Sequence, residues 1–364
     1  MTPRGHKPDY LIIICLLFLV IFGLATLASA SSNLGQEKFG DSFYYLKHQL
    51  FYGFGVGLIG FAAAYKIYYR RYQKLAVILL LVSIAALILV FTPFGFRAGG
   101  AERWVKLGPV TFQPAELLKI TFILYVAAWL AGDKARHKSF YGGFVPLFII
   151  IAVIAGLLFK QPATTTVVII IASAMIIYFV SGAKLRYLAG MGALGALALG
   201  SLVYLTPYRF ERIVNFLQPE ANPLGGGYHL NQAKIAIGSG RVFGVGFGQS
   251  TTKINYLPEP IGDSIFAVMA EELGFAGSLA LISIFAALVL KILFLARKTK
   301  DKFGKLLLIG FGSLIGLQVF VNIAAISGIL PLTGIPLPFI SYGGTALAVF
   351  MTMGGMVANI SKYS

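Results

Sequence analysis

"DSIFAVMAEELGFAGSLALISIFAALVL", residues 263–290, decides how the chain folds. From Ile265 onward it is apolar on every side of a helix, and it exceeds the roughly 20 residues that cross a bilayer. Such a helix belongs in lipid. Its acids are the exception: Asp263 stands at the head, with Glu271 and Glu272 about two turns inside. Carboxylates beside hydrocarbon are costly and are kept for chemistry, transport or a structural contact. The preceding "YLPEPIG" (256–262) is stiffened by two prolines and delivers Asp263 in a rigid lead-in. On a regular helix the two glutamates lie about 12–13.5 Å below Asp263, rotated by about 80° and 180°. Neither can pair tightly with it, so we read them as structural or cavity-lining.

The rest of the chain repeats that reading. Its 364 residues are 58% hydrophobic with a mean hydropathy of +0.83, which makes it a polytopic membrane protein. Ten apolar segments of spanning length are expected near 9–28, 46–65, 74–93, 115–131, 144–160, 163–181, 186–206, 263–290, 304–329 and 339–361. Strand-type alternation is missing, so a β-barrel is not supported. The expected fold is all-α: one integral membrane unit over 1–364, with a large extracytoplasmic loop, about 207–262, between spans 7 and 8.

Charge sets the expected orientation. The short segments 1–8, 66–74, 132–143, 182–186, 291–305 and the tail hold 18 of the 30 Lys and Arg. Short basic loops stay inside, so both termini are expected in the cytoplasm. The net charge of +17 is then mostly topology, and no basic run carries a nucleic-acid motif. Arg4 and Lys7 before an apolar run, with Ala28-Ser29-Ala30 behind it, imitate a signal peptide. The run is too long for one and reads as a retained first span. Cys15 has no partner for an intramolecular disulfide, and His6, His48, His137 and His229 are scattered without ligand spacing.

Ten of the 13 acids fall on the opposite, outer side or at outer helix ends, among them Glu37, Glu116, Glu211, Glu220, Glu259 and Asp263. Basic residues share that side, including Arg103, Lys119, Arg209 and Arg212. Glu37 and Glu220 read as ordinary loop charges. Three stretches read as a polar cavity. In "GGAERWVKLGPVTFQPAELLKI" (99–120), Gly99, Gly100 and Pro109 mark a structured loop, and Pro114 suits a first helical turn. Glu116 and Lys119 then share one helix face. In "GYHLNQAKIAIGSGRVFGVGFGQSTTKINYLPEP" (227–260), "QAKIAIGSGRVFG" reads as an amphipathic segment lying on the membrane. Glycines at 238, 240, 244, 246 and 248 leave N–H groups free to meet phosphate, and Gln249, Ser250 and Lys253 add donors. No Walker motif is present. In "LPLTGIPLPFISYGGTAL" (330–347), prolines stiffen a loop before Ser341-Tyr342-Gly343-Gly344. Close helix packing is an equal reading of those glycines.

Taken in order, "RWVKLGPVTFQPAELLK", "GYHLNQAKIAIGSGRVFGVGFGQS", "LPEPIGDSIFAVMAEELG" and "ISYGG" resemble the SEDS proteins of bacterial shape, elongation, division and sporulation. "GQSTTKINYLPE" is more similar to the division branch (FtsW) than to the elongation branch (RodA). The resemblance implies a peptidoglycan glycosyltransferase acting on lipid II and a nascent glycan chain. It implies Asp263 as the catalytic carboxylate, with Arg103, Glu116 and Lys119 at cavity positions. We add Gln249, Ser250, Lys253, Glu259, Ser341 and Tyr342 as expected substrate-binding residues. A divalent cation, Mg or Mn, or the cations Arg103 and Lys119 would stabilise the pyrophosphate leaving group; no organic cofactor is expected. The resemblance also implies a class B penicillin-binding protein as transpeptidase partner, among other divisome or elongasome membrane proteins. Two departures stand out. Ile261-Gly262 and Ser264 replace the usual His-Thr and Phe around the Asp, and "QPATTT" (161–166) has Ala163 where an acid is usual. A lipid II flippase and a non-enzymatic division scaffold are the rival functions. Internal inverted repeats would favour transport, and we find no convincing one.

Overall fold

The computed structural model describes residues 5–98, 101–108, 110–133, 136–218, 225, 227–254 and 256–364. Gly99, Gly100, Pro109 and Glu220 lie outside the described residues. The chain is mostly helical, as its apolar runs require. α1 (Tyr10–Phe39) is capped by the Asp9 carboxylate, which accepts the Leu11 N–H, and ends at Gly40 in the left-handed conformation. The second expected span, 46–65, appears as α2 (Tyr44–His48), a π-helical turn (Gln49–Gly55) and α3 (Val56–Lys66). α4 (Arg70–Leu89) follows. A feature not foreseen then fills the connection: a three-stranded antiparallel meander of β1 (Gly95–Ala98), β2 (Ala101–Leu107) and β3 (Val110–Phe112). Trp104 is paired with Phe96 in its register.

α5 (Pro114–Gly132) begins with proline in its first turn. α6 (Val145–Lys160), α7 (Thr164–Val180) and α8 (Leu185–Tyr204) follow at the expected places. The expected 207–262 loop is partly helical, with α9 (Pro207–Leu217) and α10 (Tyr228–Ser239). α10 does not lie alone on a membrane surface; Ala233 and Ala236 are fully buried where it packs on α11 (Ile265–Lys298). α12 (Lys302–Ile326) and α13 (Gly344–Ser361) complete the chain. Among the described residues, eight helices are long and apolar enough to cross a membrane, and α7 is a shorter apolar helix of 17 residues.

α12 is the central post, packed against α5, α7 and α11, and its inner face is buried along its whole length. α11 is not regular. It breaks at Gly274 (φ +68), and the loop after α10 is spliced into the gap. Phe275 and Ala276 N–H donate to the carbonyls of Arg241 and Val242, while Val245 and Gly246 N–H donate to those of Glu271 and Glu272. The glycines are needed for contact: a Cβ on Gly244 would sit 2.1 Å from the Glu272 carbonyl oxygen.

The chain's ends meet at one end of the bundle. His6 N–H donates to the Lys362 carbonyl, Asp9 pairs with Lys291 at 2.9 Å, and Arg70 pairs with Asp301 at 2.6 Å. Both termini therefore share an end with the basic turns 66–74 and 291–305. Asp263, Arg103 and Ser341 lie at the other end.

Candidate active site

Asp263 sits just before α11, and the fold holds its backbone from three sides. Asn322 of α12 donates one amide group to the carbonyls of Asp263 (2.9 Å) and Ile335 (2.7 Å). Ser341 Oγ donates to the Gly262 carbonyl at 2.7 Å while accepting the Leu337 N–H, and Tyr342 N–H donates to Ile261. Ser264 Oγ donates to the Pro258 carbonyl at 2.8 Å. Asp263 Oδ1 is buried without a hydrogen-bond partner, and Oδ2 lies beside Gly334. Burial, reinforced by the negative charge of Glu259, raises the carboxyl pKa to about 7.

Asp263 faces a cavity of about 270 Å³ walled by Tyr208, Glu211, Arg212, His229 and Leu332. A second cavity, of about 350 Å³, shares Tyr208, Arg212, Leu332 and Gly334 with the first. Among the described residues its charged walls are Arg103, Lys119, Arg209 and Arg212 against one carboxylate, Glu116. Such a surplus of cations suits an anion. Lys119 and Glu116 are both buried and paired at 2.6 Å, as their spacing on one face predicts, and Lys119 also donates to Gln318 at 2.9 Å. Glu116 Oε2 has no partner. Arg103 reaches from β2 to the carbonyls of Gln161 (3.0 Å) and Pro162 (2.5 Å), and burial lowers its pKa. Ala163 also lines this cavity. Arg212 is held by the Leu332 carbonyl at 3.2 Å, by the Tyr208 hydroxyl and by the Tyr208 ring.

Asp263, Arg103, Glu116 and Lys119 are thus brought together around adjoining cavities. The other expected binding residues are placed elsewhere. Ser250 Oγ and Thr252 Oγ1 donate to Glu271, and Thr251 N–H donates to the same carboxylate at 3.1 Å. Lys253 is buried against Glu272 at 2.7 Å, and also donates to Ser29 and to the Gly248 carbonyl. These donors are spent inside the fold, because Glu271 and Glu272 need partners where the helix breaks. Gln249 is exposed on the same loop. Glu259 is exposed; its charge acts on Asp263, and its carbonyl accepts the Gly262 and Ser264 N–H groups. Ser341 braces the Asp263 lead-in. Tyr342 bonds His48 at 3.0 Å and lines a separate apolar groove of about 630 Å³ with Tyr52, Trp104 and Phe112. The glycine loop packs against the helix break at Gly274.

Sequence reasoning missed Gln318 and Asn322 as site supports, although two amides four residues apart on an apolar helix are a signal in themselves. It placed Arg209 and Arg212 only among the outer-side charges, and gave no role to Ser264 or His229. Among the described residues no group of three His, Cys, Asp or Glu is placed to hold a metal. Among the described residues, the carboxylates in the Asp263 cavity are Asp263 and Glu211. That is too few for a protein-built cage.

Comparison with known proteins identifies the family. The family model described as the FtsW, RodA and SpoVE cell cycle proteins matches residues 9–364. The chain is 37% identical to a probable peptidoglycan glycosyltransferase FtsW of Geobacter sp. (strain M18), over 98% of each chain. It is 34% identical to the stage V sporulation protein E of Bacillus subtilis (strain 168), over 100% of each. A solved chain from a peptidoglycan synthase complex, described as coordinating polymerization and crosslinking, superposes with a TM-score of 0.78 at 27% identity over 98% of each chain. The motifs, the polytopic helical fold and these full-length matches place the chain in the FtsW, RodA and SpoVE family, the SEDS proteins.

Proposed function

We infer that the protein is a peptidoglycan glycosyltransferase that polymerises lipid II on the outer face of the bacterial cytoplasmic membrane, with Asp263 as general base. The observation that carries this is a carboxylate with one buried, unpartnered oxygen and a pKa raised to about 7, in a cavity adjoining a cation-lined one. A sugar hydroxyl is a weak nucleophile, and a carboxylate tuned near neutrality can take its proton as the new bond forms. The 4-hydroxyl oxygen of the lipid II GlcNAc attacks the anomeric carbon of the growing chain's MurNAc. The C1–O bond to pyrophosphate breaks, and the hydroxyl proton passes to Asp263. Undecaprenyl pyrophosphate departs with the bonding pair, and an α-linked donor gives a β-linked product.

Arg103, Arg209, Arg212 and Lys119 face the developing charge of that leaving group. Any Mg or Mn would arrive with the pyrophosphate and draw most of its ligands from phosphate and water. The apolar groove beside Tyr342 offers the isoprenoid chain a surface. Division-type relatives support a role in division, in company with a class B penicillin-binding protein that performs the crosslinking; co-purification with a cognate transpeptidase tests that partnership. The deciding experiment is polymerisation of labelled lipid II by the purified full chain. Wild type is expected to make glycan, and Asp263→Asn to lose about 10²–10⁴-fold in rate. Near-normal glycan from Asp263→Asn would sink the general-base assignment. Lipid II scrambling in vesicles without polymer would instead favour a flippase.

A further inference from the structure

His229 stands in the first turn of α10 and lines the Asp263 cavity beside Glu211, Arg212 and Asn215. Its Nε2 lies 2.6 Å from Ser264 Oγ, whose other contact is the Pro258 carbonyl at 2.8 Å. A carbonyl only accepts, and a hydroxyl has one proton to give. Ser264 therefore donates to Pro258, and His229 Nε2–H donates to Ser264. A neutral imidazole carries one N–H, which leaves Nδ1 with a lone pair. Burial, helped by the positive charge of Arg212, holds the ring's pKa down to about 4, so the neutral form is present at physiological pH. Nδ1 has no partner among the described residues. Unlike Asp263 Oδ1 or Asn322 Oδ1, it is not among the atoms sealed away without one.

We propose that His229 Nδ1 accepts a hydrogen bond from a hydroxyl of the sugar seated at Asp263, and so orients the ring whose neighbouring hydroxyl attacks. The proposal rests on the glycosyltransferase reading and adds a substrate contact to it. Several features favour this contact over a purely structural role. The one proton of the ring is committed to the Ser264 tether, immediately beside Asp263 in sequence. The tether fixes the ring plane, so the lone pair is aimed by the same loop that aims the base. Glu211, Arg212, Asn215 and Tyr208 give the cavity a polar wall beside the apolar Phe216, Leu230 and Leu332, as a sugar ring requires. A sugar hydroxyl supplies the donor that a neutral acceptor needs. His229 would touch substrate without taking a proton, because a ring of such low basicity is a poor base beside Asp263.

Two amide substitutions separate the ring's two nitrogens. Gln places a donor near the Nε2 position and keeps the Ser264 tether; Asn places an acceptor near the Nδ1 position and loses the tether. Full-length His229→Gln, His229→Asn and His229→Phe proteins are compared for lipid II polymerisation, thermal midpoint and binding of labelled lipid II. Binding is also read in the Asp263→Asn background, where turnover is blocked. For His229→Gln we expect an unchanged midpoint, with KM and the dissociation constant raised roughly five- to tenfold, the loss of one neutral hydrogen bond. His229→Asn should melt lower yet bind lipid II within about twofold of wild type, since it restores the acceptor. His229→Phe should lose both. Wild-type KM and binding in His229→Gln, with His229→Asn as poor a binder as His229→Phe, would reduce His229 to a tether and overturn the proposal. The binding readout stands even if wild type makes no polymer, so failure of the glycosyltransferase reading is seen separately.

Discussion

Asp263 and Glu272 are acids nine residues apart with opposite assignments, and their surroundings decide which is which. Asp263 has an unpartnered oxygen and a carboxyl pKa raised by burial and by Glu259 to about 7. A base works only when ionised, so polymerisation should rise with pH through about 7 and fall about tenfold per unit below it. A rate that stays flat from pH 5 to 8 would contradict the assignment. Glu272 instead accepts from Lys253 and Ser29 in the interior. Glu272→Gln strands the Lys253 charge, at a cost of about 3–5 kcal/mol. The expected result is a sharply lower thermal midpoint with per-molecule activity of the surviving folded protein close to wild type. Equal midpoints with lost catalysis would move Glu272 into the chemistry. The separation of these acids was legible from helix geometry, but the partners of Glu272 were not, since Ser29 lies 243 residues away.

At the scale of elements, the break in α11 is the least expected feature. An uninterrupted helix would bond Phe275 and Ala276 N–H to its own preceding turn. Here those groups bond the 241–242 carbonyls, and the loop in turn bonds Glu271 and Glu272. The splice needs two backbones in contact. Gly244→Ala should therefore lower folded yield and thermal midpoint severely, because its Cβ would meet the Glu272 carbonyl at 2.1 Å. Gly248→Ala is the control: its φ is also positive (+82), but nothing lies within 4 Å of the added methyl. It should cost only about 1–2 kcal/mol of backbone strain. Equal melting of the two variants would mean that the close approach carries no weight. The same glycines looked from sequence like a phosphate-binding loop, since small residues serve both purposes.

The whole molecule is polarised. Both termini join the basic turns 66–74 and 291–305 at one end, and the cavities lie at the other. We propose that the basic end is cytoplasmic, so that the site meets lipid II after it has been flipped. Cysteines placed at Lys74 and Gln249 in a Cys15→Ala chain test this. Membrane-impermeant label on intact cells should reach Gln249→Cys and miss Lys74→Cys, and the reverse pattern would turn the protein over. α12 links the two ends mechanically. Its Gln318 and Asn322 hold Lys119, Pro336, Ile335 and the Asp263 backbone from one helix face. Motion of that post would reach both cavities together.

Composition and local periodicity alone determined that this chain lives in a bilayer, roughly where its helices run, and that Asp263 stands at the head of one of them. Those properties depend on hydrophobic runs and near neighbours, which a linear reading contains. Glu116 and Lys119 were legible for the same reason, being three residues apart on one helix. Only the tertiary structure decided that Arg212 and His229 join Asp263, that Asn322 holds its backbone, and that Ser250 and Lys253 are spent on Glu271 and Glu272. Each of these pairings closes a loop or crosses between helices, and an isolated polar residue carries no period that points to its partner. In a low-dielectric interior an unpaired polar group is costly, and the fold, not the local sequence, determines which partner is within reach.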